Sequence, residues 1–206
     1  MTSARRFGDA GQAFPIYITV VGGLLFLAFV YLAVGQAAAN RNGAQTAADA
    51  AALAAALDTR DKLTDEWVDN VLDPTKWRDI LDGVDVELDG CGRAHELAAQ
   101  NDATAACDPM PGLPPGYEVT VTTTKSVGDS IVPGTENTYS KASAAAVIEP
   151  LCDFDPPGED AGDDVLPELN CEDDVNWELD PDDLGDLPGP EDLFDVHLAD
   201  AQANDE

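Results

Sequence analysis

Apolar positions along the chain change character three times. From Phe14 to Val34, "FPIYITVVGGLLFLAFVYLAV", 21 positions are almost wholly apolar, and no charged residue occurs between Asp9 and Arg41. A helix needs roughly 20 such residues to cross a hydrocarbon core of about 30 Å, so the pattern predicts one transmembrane span. Gly22 and Gly23 are compatible with it, and Tyr17 and Tyr31 fall where interfacial aromatic residues sit. A cleaved secretory leader is the alternative, since Arg5 and Arg6 precede the run and Ala37 to Ala39 resemble a cleavage site. Leader cores usually run about 7 to 15 residues, which favours the span. The arginine pair also admits a twin-arginine reading, but only as a dipeptide.

The second regime is alanine. Residues 37–56 hold 12 alanines, one interior glycine (Gly43) and no proline. Alanine is the best helix former, so the span is expected to continue as one helix to about Leu57, a rod of roughly 65 Å. Its outer half has only Leu53 and Leu57 as large apolar side chains. Ala44, Ala48, Ala51 and Ala55 recur at helical spacing, and such small residues let another element approach closely. That element is either the chain's own domain or another protein's helix.

The third regime is mixed. "TDEWVDNVL" puts Leu63, Trp67 and Val71 on one helical face, and "DPTKWRDIL" reads as a helix with Asp73 as cap, Pro74 in its first turn, and Trp77, Ile80 and Leu81 inside. "VDVEL" at 84–88 alternates as a strand ended by Asp89-Gly90. Residues 92–106 are expected to be a loop with one helical turn. Two strands follow: Tyr117, Val119 and Val121 share a face, as do Ala142, Ala144, Ala146 and Ile148, and "PGTEN" at 133–137 turns between them as an antiparallel pair.

Charge then divides the chain. The net charge is −31, from 41 acidic and 10 basic residues, and residues 151–206 hold 21 of the acids with no Lys or Arg. Such a surface repels nucleic acid and anionic lipid. Proline, acid and scattered single apolar residues predict a disordered tail there. By the positive-inside rule Arg5 and Arg6 keep the N-terminus cytoplasmic, so Cys91, Cys107, Cys152 and Cys171 lie outside, where thiols stay oxidised. Four cysteines allow three connectivities, and the pairs 91–107 and 152–171 are preferred because they close short loops.

Catalytic patterns fail. "HEL" from His95 lacks the second zinc-protease histidine, since position 99 is Ala99. Cys91, His95 and Cys107 have no usual zinc spacing, and a disulfide is the better reading. Asp180, Asp182, Gly185 and Glu191 match part of a calcium loop, but Leu184, Pro188 and Pro190 spoil the rest. There is no phosphate loop or nucleophile elbow, and His95 and His197 are the only histidines. Neither an enzyme nor a cofactor or resident metal is expected.

"GDAGQAF", one span and then "GAQTAADAAALAAALD" resemble the N-terminal region of TadG-like proteins of the tight-adherence (Flp) pilus-assembly system. The matching positions are Gln45, Ala47, Ala48, Asp49, Ala50, Ala51, Ala52, Leu53 and Ala54. "YSKASAAAVIEP" is similar to the closing alanine-rich strand of TadE- or TadG-like proteins. The resemblance implies a bitopic, pilin-like component of a pilus-assembly apparatus. The chain lacks the Asp-x-Ser-x-Ser motif of the von Willebrand-type domain in longer TadG proteins. It also lacks the prepilin-peptidase glutamate, since the fifth position after Gly8 is Ala13 and after Gly11 is Ile16.

The expected organisation is an α+β protein: a cytoplasmic stub (1–13), a transmembrane helix (14–34), its alanine-rich pilin-like extension (35–57), a small extracytoplasmic domain with an antiparallel sheet (58–150) and a disordered acidic tail (151–206). The expected function is a membrane-anchored structural component of a bacterial pilus-assembly apparatus, partnered by pilin-like or assembly proteins through helix packing and by the bilayer through 14–34. The rival is an exported or surface acidic module that binds cations or basic partners.

Overall fold

The computed structural model describes residues 13–84, 87, 89–126, 137–156 and 165–199. The expected stub, most of the strand at 84–88 and most of the turn at 133–137 lie outside the described residues.

Helix α1 runs unbroken from Ala13 to Asp69, 57 residues or about 85 Å. It is longer than expected and absorbs the segment read as a separate helix. After Pro15 in its first turn no proline occurs before Pro74, and Lys62 bridges back to Asp58 at 2.8 Å, an i,i+4 pair across the expected break. Its buried stripe continues in register from Ala44, Ala48, Ala51 and Ala55 through Thr59, Leu63 and Trp67 to Val71 just beyond its end. The side chains grow along this stripe, so the helix lies closest to its neighbours over the alanines.

Helix α2 (Pro74–Leu81) begins at the expected proline and buries Trp77, Ile80 and Leu81. Asp73 precedes it without a side-chain cap to the backbone; its carboxylate instead accepts the Thr75 hydroxyl at 2.5 Å. Trp77 lies between Trp67 and Phe154, with ring centroids 5.3 and 5.2 Å away. The tryptophans are therefore core residues.

Between Cys91 and Cys107 the structure replaces the expected loop with helix α3 (Cys91–Gln100) and the start of strand β1 (Ala103–Pro109). Strand β2 (Gly116–Thr123) pairs antiparallel with β1 and with β3 (Lys141–Pro150). The β2–β3 pairing sets Val119 opposite Ala144 and Val121 opposite Ala142, as the alternation predicts. Their inner face packs on α1 and α3, whereas Thr104, Thr120, Thr122 and Ser143 line the polar outer face.

The acidic segment departs most from expectation. Its described residues are folded: β4 (Cys152–Phe154), β5 (Leu169–Cys171) and β6 (Asn176–Trp177) form a second, three-stranded sheet. Short helix α4 (Pro190–Leu193) then leads into β7 (Phe194–Leu198), which joins the main sheet in the order β1-β2-β3-β7. Phe154, Leu169, Leu193 and Phe194 are buried in the same core as the alanines of α1. Average composition hides these residues because Phe154 and Leu169 are single apolar positions, and Leu193-Phe194 one short pair, in an acidic segment, while the fold brings them into one core.

Candidate functional site

Helix α1 is apolar and exposed, then small and exposed, then small and buried. Along Phe14 to Val34 the large side chains face outward; Phe26 is 67% and Tyr31 83% exposed, so nothing in this chain covers them. Among the described residues one helix is long and apolar enough to cross a membrane, and it is this one. A surface this apolar, uncovered by protein, suits lipid or other apolar helices. Residues 35–39 and 41–43 remain exposed beyond it, before the helix reaches the sheet.

From Ala44 the environment inverts. Ala44, Ala47, Ala48, Ala51, Ala52, Ala55 and Ala56 are fully buried, with the helix packed chiefly on β3, α3 and β2. The stripe read as a docking surface is thus occupied by the chain's own domain, leaving no free face at Ala44, Ala48, Ala51 or Ala55 for another protein. The fit has a simple cause: Ala142, Ala144 and Ala146 lie on the inner face of β3, and small residues on both sides permit close approach of backbones.

The other motif residues serve the same junction. Gln45 donates to the Asp49 carboxylate at 2.7 Å and reaches the Ser143 carbonyl oxygen at 3.4 Å, linking α1 to β3 at the outermost turn of the interface. Leu53 packs against the core, and Ala50 is half-buried. A sequence that resembles low-complexity alanine is thus a helix-on-sheet joint.

The cysteines pair locally. Cys91–Cys107 fastens the start of α3 to β1, and Cys152–Cys171 fastens β4 to β5. Among the described residues no group of three His, Cys, Asp or Glu side chains could hold a metal ion. Of the partial calcium pattern, Asp180 accepts the backbone N–H of Asp182, and Gly185 donates its N–H to the neighbouring Asp183, within the same turn.

Lys62 on α1 bridges Asp58 and Asp89, joining the helix to the segment before α3. Hydrogen bonds to these carboxylates, Asp58 first, raise the Lys62 pKa above the ordinary lysine range. The Lys62 hydrogen bond lowers that of Asp89. A buried link missed in the sequence lies nearby: the Tyr117 hydroxyl meets both Thr59 and the Gly90 N–H. Tyr117 heading an alternating strand was the available signal, since a buried tyrosine needs a partner for its hydroxyl.

No curated protein and no solved structure matches this chain. Residues 11–58 match the family described as putative Flp pilus-assembly TadE/G-like. The chain therefore carries a TadE/G-like segment, running from the exposed apolar half of α1 into the alanine joint on the sheet.

Proposed function

We propose that this chain is a membrane-anchored, pilin-like structural component of a tight-adherence (Flp) type pilus-assembly apparatus. The carrying observation is one continuous helix that is apolar and exposed at nearly every position from Phe14 to Val34, then locked into a folded domain from Ala44 onward. The TadE/G-like match extends over both parts. Such a helix transmits the position of the span directly to the outer domain, because no loop intervenes.

In this reading the N-terminus is cytoplasmic and the sheet domain extracytoplasmic, following the arginine flank and the disulfides. Assembly contacts fall on residues 14–43, since the inner alanines are occupied. Gly22, Gly23, Gly35 and Gly43 have open space around the position a Cβ would take, so a partner helix can approach closely there.

The test is site-specific photo-crosslinking from Gly23 and Gly35 in native membranes, with adducts identified by mass. Adducts with pilus-assembly proteins support the proposal. Adducts with lipid alone at both positions, or recovery of the chain as a soluble protein lacking residues 14–34, reject it.

A further inference from the structure

We infer that the free edge of β4 is a docking site for an extended, basic peptide segment of a partner protein, which would add a strand in line with β2. Backbone parity carries the first step. Ile148 N–H donates to the Pro115 carbonyl at 2.9 Å, so even-numbered residues of β3 turn their N–H and C=O groups toward β2. Odd-numbered residues turn the other way: Leu151 N–H donates to Leu193 O at 2.8 Å, and Leu151 O accepts Glu172 N–H at 2.9 Å.

The chain continues from β3 into β4, but β2 begins only at Gly116, opposite Val147. Beyond that point, among the described residues, no strand lies in the row beside β3 and β4. Pro150 C=O, Cys152 N–H and C=O, and Phe154 N–H face this row. The Phe154 carbonyl is met by the Arg78 guanidinium at 3.4 Å. An edge with groups of this kind is a template for another strand.

Shape and charge narrow the occupant. A cleft of about 480 Å³ opens beside this edge and reaches over β4, from Leu81 and Asp82 on one side to Asn170 and Glu172 on the β5 side, with Leu81, Leu151 and Phe154 among its apolar lining. Asp82, Asp153 and Glu172 also line it, and none of the three forms an ion pair among the described residues. Arg78, the cation at the site, lies 5.3 Å from the Phe154 ring centre and is engaged with the wall. Backbone pairing therefore calls for an extended peptide, and the carboxylates call for Lys or Arg side chains on it. A second copy is disfavoured by a chain with 41 acidic and 10 basic residues. The vacant row belongs to the globular part of the chain and is independent of how the anchor helix is used.

The test uses the full chain in detergent and a capped Lys-Val-Lys-Val-Lys peptide, with binding followed by calorimetry and by amide NMR shifts at Cys152 and Phe154. The lysine peptide is expected to bind and shift both amides, and Glu-Val-Glu-Val-Glu is not. Methylating backbone nitrogens on one alternate set of residues should abolish binding, while methylating the other set should spare it, because one set faces β4. The double variant Asp82→Lys, Glu172→Lys, altering exposed side chains only, should weaken binding at least tenfold. Equal binding by both methylated peptides would mean adhesion by charge alone and overturn the site. So would binding of the glutamate peptide, an unaffected double variant, no binding at millimolar peptide, or a dimer of this chain that protects the two amides.

Discussion

The hydroxyl oxygens of Thr59 and Tyr117 lie 2.6 Å apart inside the helix–sheet interface, and the Gly90 N–H donates to the same tyrosine oxygen at 2.9 Å. One phenol thus joins α1, β2 and the turn that opens α3. Gly90 is required here because a Cβ would sit 2.3 Å from the Ala55 carbonyl oxygen. Tyr117→Phe leaves two buried polar groups without their partner and should cost about 1–3 kcal/mol of unfolding free energy. Urea denaturation of the full chain in detergent measures it. Thr59→Val with Tyr117→Phe should cost less than the sum of the single changes; strict additivity would show that the hydroxyls do not interact.

The buried alanines make a second prediction. Ala48 and Ala51 are fully covered by this chain's own domain, so Ala48→Leu or Ala51→Leu must push helix and sheet apart. Each should destabilise the outer domain by about 1–3 kcal/mol, or more where the backbone cannot shift, while the protein stays in the membrane fraction. Ala39→Leu, on the exposed stretch below the joint, should leave the melting temperature unchanged. Thermal unfolding of the three variants decides between a buried joint and an open docking face.

Much of this architecture is legible in the sequence because its period is strong. The charge-free run, the alanine helix, the Pro74 helix and the paired faces of β2 and β3 all rest on patterns repeated over several turns or strand positions. The element at 92–106 escapes because "GRAHELAAQ" is short and alanine again carries no contrast between faces. The folding of the acidic segment escapes for a different reason. Leu169, Leu193 and Phe194 are buried in a core shared with the distant alanines of α1, and a composition window sees only their acidic neighbours. The identity of the alanines' partner follows the same rule, since small residues announce close packing without saying what is packed.

The acidic segment's structural role is testable by truncation. Strand β7 pairs with β3 from Ala146 to Pro150 and covers the margin of the sheet. Removing residues 190–206 would free that edge of β3 and uncover its buried Ile148, a surface prone to pairing with other chains. Such a chain should be more protease-sensitive and aggregate on release from the membrane. A truncated protein as protease-resistant and as monomeric as the full chain would mean that the last strand is dispensable.

The disulfides offer a further measurement. Cys91 and Cys107 are 16 positions apart, and closing a loop of that size stabilises by about 3 kcal/mol on the chain-entropy model. Cys91→Ser with Cys107→Ser should lower the urea midpoint accordingly without changing membrane retention. An unshifted midpoint would place the stabilisation of α3 and β1 wholly in their packing.

The Lys62 bridge sets a pH window whose sign is fixed by its two partners. Asp89 has a lowered folded-state pKa, so its contribution is present above the unfolded carboxylate value of about 3.9 and lost as pH falls through the folded one. Lys62 has a raised pKa, so its contribution is complete below about 10.4 and lost as pH rises through the folded value. The stability gap between the native chain and Lys62→Met should therefore be flat across neutral pH and shrink below about pH 4 and above about pH 10. Both side chains are exposed, so added salt should also reduce the gap. Urea midpoints of the two chains at pH 3, 5, 7 and 9 test this; a gap at pH 3 equal to that at pH 7 would show that the ion pair contributes nothing and that Lys62 acts through its aliphatic stem.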